Sequence, residues 1–400
     1  FFSPALFGEY KLLLAGISLA SGILIRPFIQ FSMREYHDAD KQGLLLQFIA
    51  RTRTILRYYI LLILLSVGLL MGLFLYFSMS LSYIAFFMIL ATFALRNSIE
   101  FERALWVTGN KQTQASIVSV ARNWLPPIAI ITMVSLTNNE SVHTIFSSTT
   151  AVLAIIYFVQ LSINFTRTSI EYTPPSTANY MAIVRSAIRF GAPLVSVGLL
   201  SWLVHESDRF FLAYYHSDRV VGLYSAAYGL VSAPFTLVAG SIAQFLYPII
   251  FRVSAANDHE KRLNIMKAML ITTSATSLLG VILVGLFDEQ IAWIALGKNY
   301  REEATQLLLW IALGYSFIAM SFSFDLAAYG SKRTLDMSIS YGISATVNVV
   351  LNIILIPDHG AMGAVIATLI SLFCYLLVIA ALFFYKEKQT MLTKTTATVD

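Results

Sequence analysis

Eleven long apolar runs, each close to the length of a membrane-crossing helix, constrain the fold of this chain more than any other feature of its sequence. A helix needs about 20 mainly apolar residues to cross the ~30 Å hydrocarbon core of a bilayer. With 57% hydrophobic and 12% charged residues, the chain also lacks the polar surface that a soluble protein of this length needs. The runs are too long and too uniformly apolar for the alternating strands of an outer-membrane barrel. The sequence therefore predicts an all-α integral membrane protein. The predicted spans are residues 8–33, 55–79, 81–102, 114–137, 145–166, 188–213, 222–251, 264–287, 305–330, 335–356 and 361–385.

The basic residues are unevenly distributed over the breaks between these runs. Sixteen of them lie in one alternating set of breaks and in the C-terminal tail, and three lie in the other set. Because cytoplasmic loops carry an excess of Lys and Arg, the first set and the C-terminus are predicted to be cytoplasmic. This scatter over many short breaks argues against a nucleic-acid partner, despite the net charge of +5. The single cysteine, Cys374, leaves no partner for an intrachain disulfide.

An internal repeat predicts two halves. Gly8-x-Tyr10 and Gly222-x-Tyr224 lie 214 residues apart on the predicted outer side, and each opens a long run that ends in a charged cytoplasmic turn. One further run precedes the second copy, and its counterpart would lie before the start of the chain. We therefore expect two six-helix lobes, with the first helix of the first lobe absent from this chain. Transporters with this architecture handle substrate between the two halves. The predicted divisions are an N-terminal lobe at 1–166, a cytoplasmic linker and amphipathic lead-in at 167–187, a C-terminal lobe at 188–385 and a cytoplasmic tail at 386–400.

Three arginines inside the apolar runs are candidate substrate-binding residues. An ionisable group is costly in hydrocarbon and usually faces a cavity or a partner. Arg26 and Arg122 each lie well inside a run, so they either face a cavity or anchor their helix at the interface. Arg96 shares a helix face with Glu100 and Arg103, which fits an ion-pair ladder or a ligand-facing surface. Because a guanidinium stays charged and binds phosphate bidentately, we expect Arg26, Arg96 and Arg122 to form a cationic cavity for an anionic headgroup.

A second group of charges, in the C-terminal half, is the candidate for coupling or gating. Glu206, Asp208 and Arg209 cluster near the outer end of one run, and Asp325 lies near the inner end of another. One interpretation pairs Asp208 with Arg209 or another cation. The other has Glu206, Asp208 or Asp325 titrate during transport and couple it to protons or sodium. The sequence contains no metal-spaced His cluster, no Ser/His/Asp grouping and no phosphate-binding Gly loop. We therefore expect no resident cofactor and no enzymatic activity.

Several short motifs follow one another in the order found in a known family. The chain resembles the bacterial polysaccharide-export flippases, which are the O-antigen and lipid-linked oligosaccharide translocases of the multidrug/oligosaccharidyl-lipid/polysaccharide exporter superfamily. The resemblance covers nearly the whole chain, starting after the family's first helix, and implies a MATE-like transporter fold with a central cavity open alternately to each side. The residues that carry it are Phe190-Gly191-Ala192-Pro193-Leu194, Asp208-Arg209, Val221–Ala227, Leu296–Tyr300, Tyr329–Lys332, Asn348–Ile356 and Gly360–Ala364.

The resemblance also implies a substrate, a location and partners. The substrate is a short oligosaccharide on undecaprenyl pyrophosphate, moved from the cytoplasmic to the outer leaflet of the bacterial inner membrane. Family members commonly line the cavity with cations, a role that Arg26, Arg96 and Arg122 are expected to fill. The implied partners are membrane lipids and the polymerase and chain-length regulator of the same pathway.

Two other functions are weighed against the flippase. An O-antigen polymerase or polyprenyl-sugar glycosyltransferase needs a sizeable outer loop with paired carboxylates or Arg. The longest predicted outer break is 288–304, and its acidic pairs are typical of solvated surfaces. A multidrug exporter of the same fold would need buried acids and few arginines, whereas the first half of this chain has more embedded Arg than acid.

Overall fold

The structure, a computed structural model, describes residues 2–77, 83–165, 177–255, 258–331 and 333–396. Every regular element in these ranges is a helix, as the sequence predicts. A five-residue π-helical turn, Ser21–Ile25, joins the first two. The α-helices are α1 Pro4–Ala20, α2 Arg26–Lys41, α3 Leu45–Phe77, α4 Tyr83–Thr108, α5 Gln112–Thr137, α6 Val142–Phe165, α7 Thr177–Glu206, α8 Asp208–Tyr215, α9 Asp218–Ala255, α10 His259–Ala295, α11 Lys298–Gly330 and α12 Thr334–Thr396.

The lengths of these helices fit a multi-pass membrane protein. Among the described residues, eight helical segments are long and apolar enough to cross a bilayer, or nine if the bent α7 counts as one span. Their outer surfaces carry large apolar side chains: Leu136 is 77% exposed and Phe158 is 71% exposed. A water-soluble protein rarely exposes contiguous apolar surface of this kind, whereas lipid tails solvate it.

The predicted spans 335–356 and 361–385 are the two arms of α12. The helix is interrupted at Gly360, whose φ of +54° is a left-handed conformation that glycine adopts without steric cost. Ser344 Oγ donates to the Ser371 carbonyl oxygen over 2.7 Å, and Lys386 pairs with Asp336. The arms therefore lie antiparallel.

The predicted span 188–213 is not one continuous helix. Its helix begins earlier, at Thr177, bends by 46° at Pro193 and ends at Glu206, and α8 begins at Asp208. Proline lacks the amide proton that the helical ladder needs, which accounts for the bend. Residues 177–187 of the predicted lead-in are the first turns of α7. The predicted linker residues 167–176 and the end of the tail, 397–400, lie outside the described residues.

Contacts group the described chain into two units. The first unit is Gly16–Leu199, and its apolar core lies between α4, α5 and α6. The second unit combines Phe2–Ala15 with the chain from Leu200 onwards, and its core is built mainly from α9, α11 and α12. The lobe boundaries proposed from the sequence stay a prediction.

The two Gly-x-Tyr motifs contact each other in the second unit. A Cβ atom at Gly8 would overlap the carbonyl oxygen of Asp218, and a Cβ atom at Gly222 would overlap that of Pro4. Helices in a membrane approach closely where small residues face each other, because no hydrophobic effect drives them together. The repeated glycines therefore allow α1 and α9 to cross in backbone contact.

Candidate functional site

Arg26 belongs to an exposed polar face of α2. Its side chain is exposed, and so are those of Gln30 and Arg34, which follow at four-residue intervals on the same face. The opposite face is buried: Phe28 stacks on Phe101 of α4 with ring centroids 6.2 Å apart. A polar face inside a span is suited to water or a polar ligand and poorly suited to lipid tails. Gln30 was not singled out from the sequence, although its spacing from Arg26 is a signal that could have identified it.

The π-helical turn before Arg26 is held against α4. Asn97 Nδ2 donates to Ser21 Oγ over 2.9 Å and to the Phe93 carbonyl oxygen over 2.7 Å. Asn97 is buried, so these bonds also satisfy a polar side chain that would otherwise be costly. Single π turns often occur at functional sites, where they alter the direction of the side chains that follow.

Arg122 takes part in an ion triad between α4 and α5. Glu100 pairs with both Arg103 and Arg122, and all three side chains are half-buried. One carboxylate against two guanidinium groups leaves the triad with a net charge of +1. The ion-pair interpretation therefore holds for Glu100, and the role of Arg122 as an anion ligand stays a prediction.

The α4 segment 96–101 connects the three candidate arginines. Arg96 is exposed one turn before Glu100, the ion-pair partner of Arg122. Phe101 stacks on Phe28, two residues after Arg26 in α2. All three arginines therefore lie on helices that pack around this segment, within the first unit.

Asp208, in the second unit, begins α8 and is fully buried. The Arg209 amide donates to Asp208 Oδ1 over 2.8 Å, and the Tyr224 hydroxyl donates to Oδ2. The Arg209 side chain does not pair with Asp208; it pairs with Glu206 and donates to Ser225 Oγ over 3.2 Å. The charge of Arg209 is therefore offset by Glu206, and Asp208 has no ion pair among the described residues.

A tyrosine cluster extends from Asp208 to α11. Tyr315 of α11 donates to the hydroxyl of Tyr228, whose ring lies 5.4 Å from that of Tyr224. A cavity of about 10 Å³ lies among these three rings and Thr368. The buried Thr368 hydroxyl faces Asp208 and Tyr224 there. A cavity of this volume is close to the minimum that holds one water molecule.

Asp325 belongs to a separate site. It is buried on α11, ten residues after Tyr315, which corresponds to about 15 Å along a helix. Its Oδ1 accepts from the Tyr375 hydroxyl over 2.8 Å, and Tyr341 packs against Tyr375. Asp325 therefore does not join the Asp208 cluster.

A ladder of buried polar side chains on α12 was missed in the sequence. Asn352 Nδ2 donates to Asn348 Oδ1 over 2.9 Å, and Asn348 Nδ2 donates to Ser371 Oγ over 3.3 Å. The Asn352 amide oxygen is buried without a partner. The signal was available, because polar residues recur every fourth position of this apolar run. Its members are Asp336, Ser340, Ser344, Asn348 and Asn352.

This architecture is the fold of a class of membrane transporters. An inward-facing multidrug resistance MATE family transporter of the MOP superfamily matches 98% of this chain and 92% of its own chain, with a TM-score of 0.75 and 14% identity. The lipid II flippase MurJ, in an inward closed conformation, matches 96% of this chain and 82% of its own, with a TM-score of 0.70 and 14% identity. The MATE-like all-α fold expected from the sequence is confirmed.

The chain belongs to the family described as polysaccharide biosynthesis proteins, whose sequence model matches residues 77–305. It is also similar to the probable flippase AglR of Haloferax volcanii, at 27% identity over 179 residues. That alignment covers 43% of this chain and 35% of the relative's length. The family expected from the sequence motifs is therefore confirmed.

Proposed function

We propose that this protein is a flippase that moves an undecaprenyl-pyrophosphate-linked oligosaccharide from the cytoplasmic to the outer leaflet by alternating access. The cargo is an O-antigen repeat unit or a similar surface polysaccharide, and the membrane is the bacterial inner membrane, with the C-terminus in the cytoplasm. The polymerase and chain-length regulator of the same pathway use the exported unit. Membership of a polysaccharide biosynthesis family and similarity to a probable flippase support the proposal.

The observation that carries this proposal is the exposed polar face of α2. Arg26 lies in the middle of a helical segment long enough to cross the membrane, and its charge is exposed there. A guanidinium in that position offsets the desolvation of a diphosphate and can bind it bidentately. The net positive triad of Glu100, Arg103 and Arg122 adds to the same attraction.

Replacing Arg26 tests the proposal. We expect Arg26→Ala to abolish surface glycan in a deletion strain and to cause lipid-linked repeat units to accumulate in the cytoplasmic leaflet. Arg26→Lys keeps the charge but not the bidentate geometry, so it should restore part of the export. The readouts are surface glycan and the leaflet distribution of the lipid-linked units, at matched protein levels.

The control is Lys41→Ala, which removes an exposed cation at the last residue of the same helix. It should export at the wild-type level. Full complementation by Arg26→Ala would show that the exposed guanidinium is not needed for transport.

We further propose that Asp208 couples transport to a proton or a sodium ion. A buried carboxylate without a paired cation is costly. A proton or a small cation would remove that cost. The Tyr224 and Thr368 hydroxyls lie beside the small cavity of this cluster and offer oxygen ligands.

A further inference from the structure

A large apolar cavity of the first unit lies between α2, α3 and α7, and neither the exposed polar face of α2 nor the Asp208 cluster accounts for it. Its volume is about 950 Å³, at the upper end of the range for ligand pockets. Its walls are mainly apolar. The residues that define it best are Ile23, Pro27, Tyr58, Leu62, Ile188 and Ala192.

The cavity extends along α7. Along α7 its lining extends from Tyr180 to Val195, which corresponds to about 22 Å of helix. The bend of α7 at Pro193 lies within this stretch, beside Ala192. A mainly apolar space of this length suits a hydrocarbon chain.

On α2, charged side chains lie beside the lining of this cavity. Pro27 lines the cavity, whereas its neighbour Arg26 belongs to the exposed polar face with Gln30 and Arg34. Successive residues of a helix point about 100° apart. The apolar lining and the exposed polar face are therefore adjacent sides of α2.

The other wall repeats this arrangement. Arg185 and Arg189 of α7 are exposed and alternate with the lining residues Val184 and Ile188. No ion pair to either arginine is found in the described part of the chain. Cations thus flank the apolar space on two helices, in the half of α7 that the charge pattern of the sequence places toward the cytoplasm.

We propose that this cavity binds the polyprenyl chain of the substrate while the diphosphate of the substrate stays on the exposed polar face of α2. The inference rests on the proposed function and adds the location of the lipid tail. A chain held here is partly shielded from the bilayer, so the protein carries the start of the tail together with the headgroup. A lipid that lacks a long hydrocarbon chain next to a diphosphate cannot fill the apolar cavity and contact the exposed polar face at the same time.

Photocrosslinking tests this location directly. The probe is undecaprenyl diphosphate with a diazirine on its hydrocarbon chain, added to the full chain in nanodiscs. We expect labelled peptides from α2, α3 and α7, and displacement of the probe by unlabelled undecaprenyl diphosphate but not by phosphatidylglycerol or uncharged undecaprenol.

A variant that fills the cavity provides the second arm. Ala192→Trp places a large side chain at an exposed position of the lining and should weaken probe binding by about tenfold or more. Ala151→Trp, at an exposed position of α6 outside the cavity, is the matched control and should bind as the wild type does.

Four outcomes overturn the inference. Labelling confined to other helices, or unchanged binding to Ala192→Trp, would reject the cavity while leaving the flippase proposal intact, provided that the wild type still exports glycan. Equal displacement by phosphatidylglycerol would make the cavity a phospholipid site. Absence of any specific binding of the probe to the wild type would reject the proposed function together with the inference.

Discussion

The charged residues inside the helices divide into those with an ion-pair partner and those without one. Glu100 and Glu206 are each neutralised by arginine, at Arg103 and Arg122 in one case and at Arg209 in the other. Asp208 accepts from the Tyr224 hydroxyl and from the Arg209 amide, and it has no ion pair among the described residues. Paired charges fit a structural role, whereas a buried carboxyl without a cation is suited to take up a proton or ion.

At this scale, Asp208→Asn should uncouple transport. The amide cannot be ionised, so we expect flipping by the reconstituted variant to lose its response to an imposed pH or sodium gradient. Folding should be preserved because the side chains have nearly the same shape. The measurement is the flipping rate with and without each gradient.

The matched control is Asp288→Asn, which changes an acid in the predicted outer break and should leave the response intact. A gradient response by Asp208→Asn equal to that of the wild type would rule out this carboxyl as the coupling group.

The sequence identified the charged residues and the possible pairing of Glu100 with Arg103 on one helix, but not the partners on other helices. Arg26, Arg122 and Asp208 stand out because each interrupts an apolar run. The partner of Arg122, however, is Glu100 on another helix, 22 residues earlier. Pairing of this kind depends on which helices are neighbours, and periodicity within one helix does not contain that information.

Among the helices, the contact between the two Gly-x-Tyr motifs is the clearest link between sequence and packing. The repeat suggested two equivalent halves. The structure adds that Gly8 and Gly222 bring α1 and α9 into backbone contact within one unit. Neither position has room for a methyl group.

Gly222→Ala should therefore destabilise the protein. The added Cβ would collide with the Pro4 carbonyl oxygen, and overpacking of this kind costs about 1–3 kcal/mol. We expect a lower midpoint of thermal unfolding in detergent.

Gly229→Ala is the control on the same helix, because nothing lies within 4 Å of its added Cβ. It should leave the midpoint unchanged or raise it slightly, since alanine favours helix more than glycine does. Equal midpoints for Gly222→Ala and the wild type would contradict the close crossing of α1 and α9.

The existence of the helices was predictable, but only some of their interruptions were. Long apolar runs marked the spans because a bilayer sets their length. The break at Ser207 lies inside a run that hydropathy alone reads as uniform, whereas the reversal at Gly360 falls in the break predicted between residues 356 and 361. The buried ladder of Asn348 and Asn352 was also overlooked, because two amides hardly change the mean hydropathy of a run.

For the molecule as a whole, family membership and fold agree with the transporter that the motifs predict. The fold by itself does not select the cargo, since similar structures include a multidrug transporter and a lipid II flippase. The cargo must follow from local chemistry. We propose that in this chain the selecting chemistry is the exposed polar face of α2 beside an apolar cavity, which would match a diphosphate with a long hydrocarbon chain.

The most direct test measures flipping in proteoliposomes loaded with an undecaprenyl-diphosphate oligosaccharide. An external glycosidase reports how quickly inner-leaflet substrate becomes accessible. We predict rapid exposure by the wild type, exposure slower by about tenfold or more with Arg26→Ala, and little exposure of the corresponding uncharged undecaprenyl glycoside. Wild-type vesicles that expose the substrate no faster than protein-free vesicles, or that move the uncharged glycoside equally well, would contradict the account.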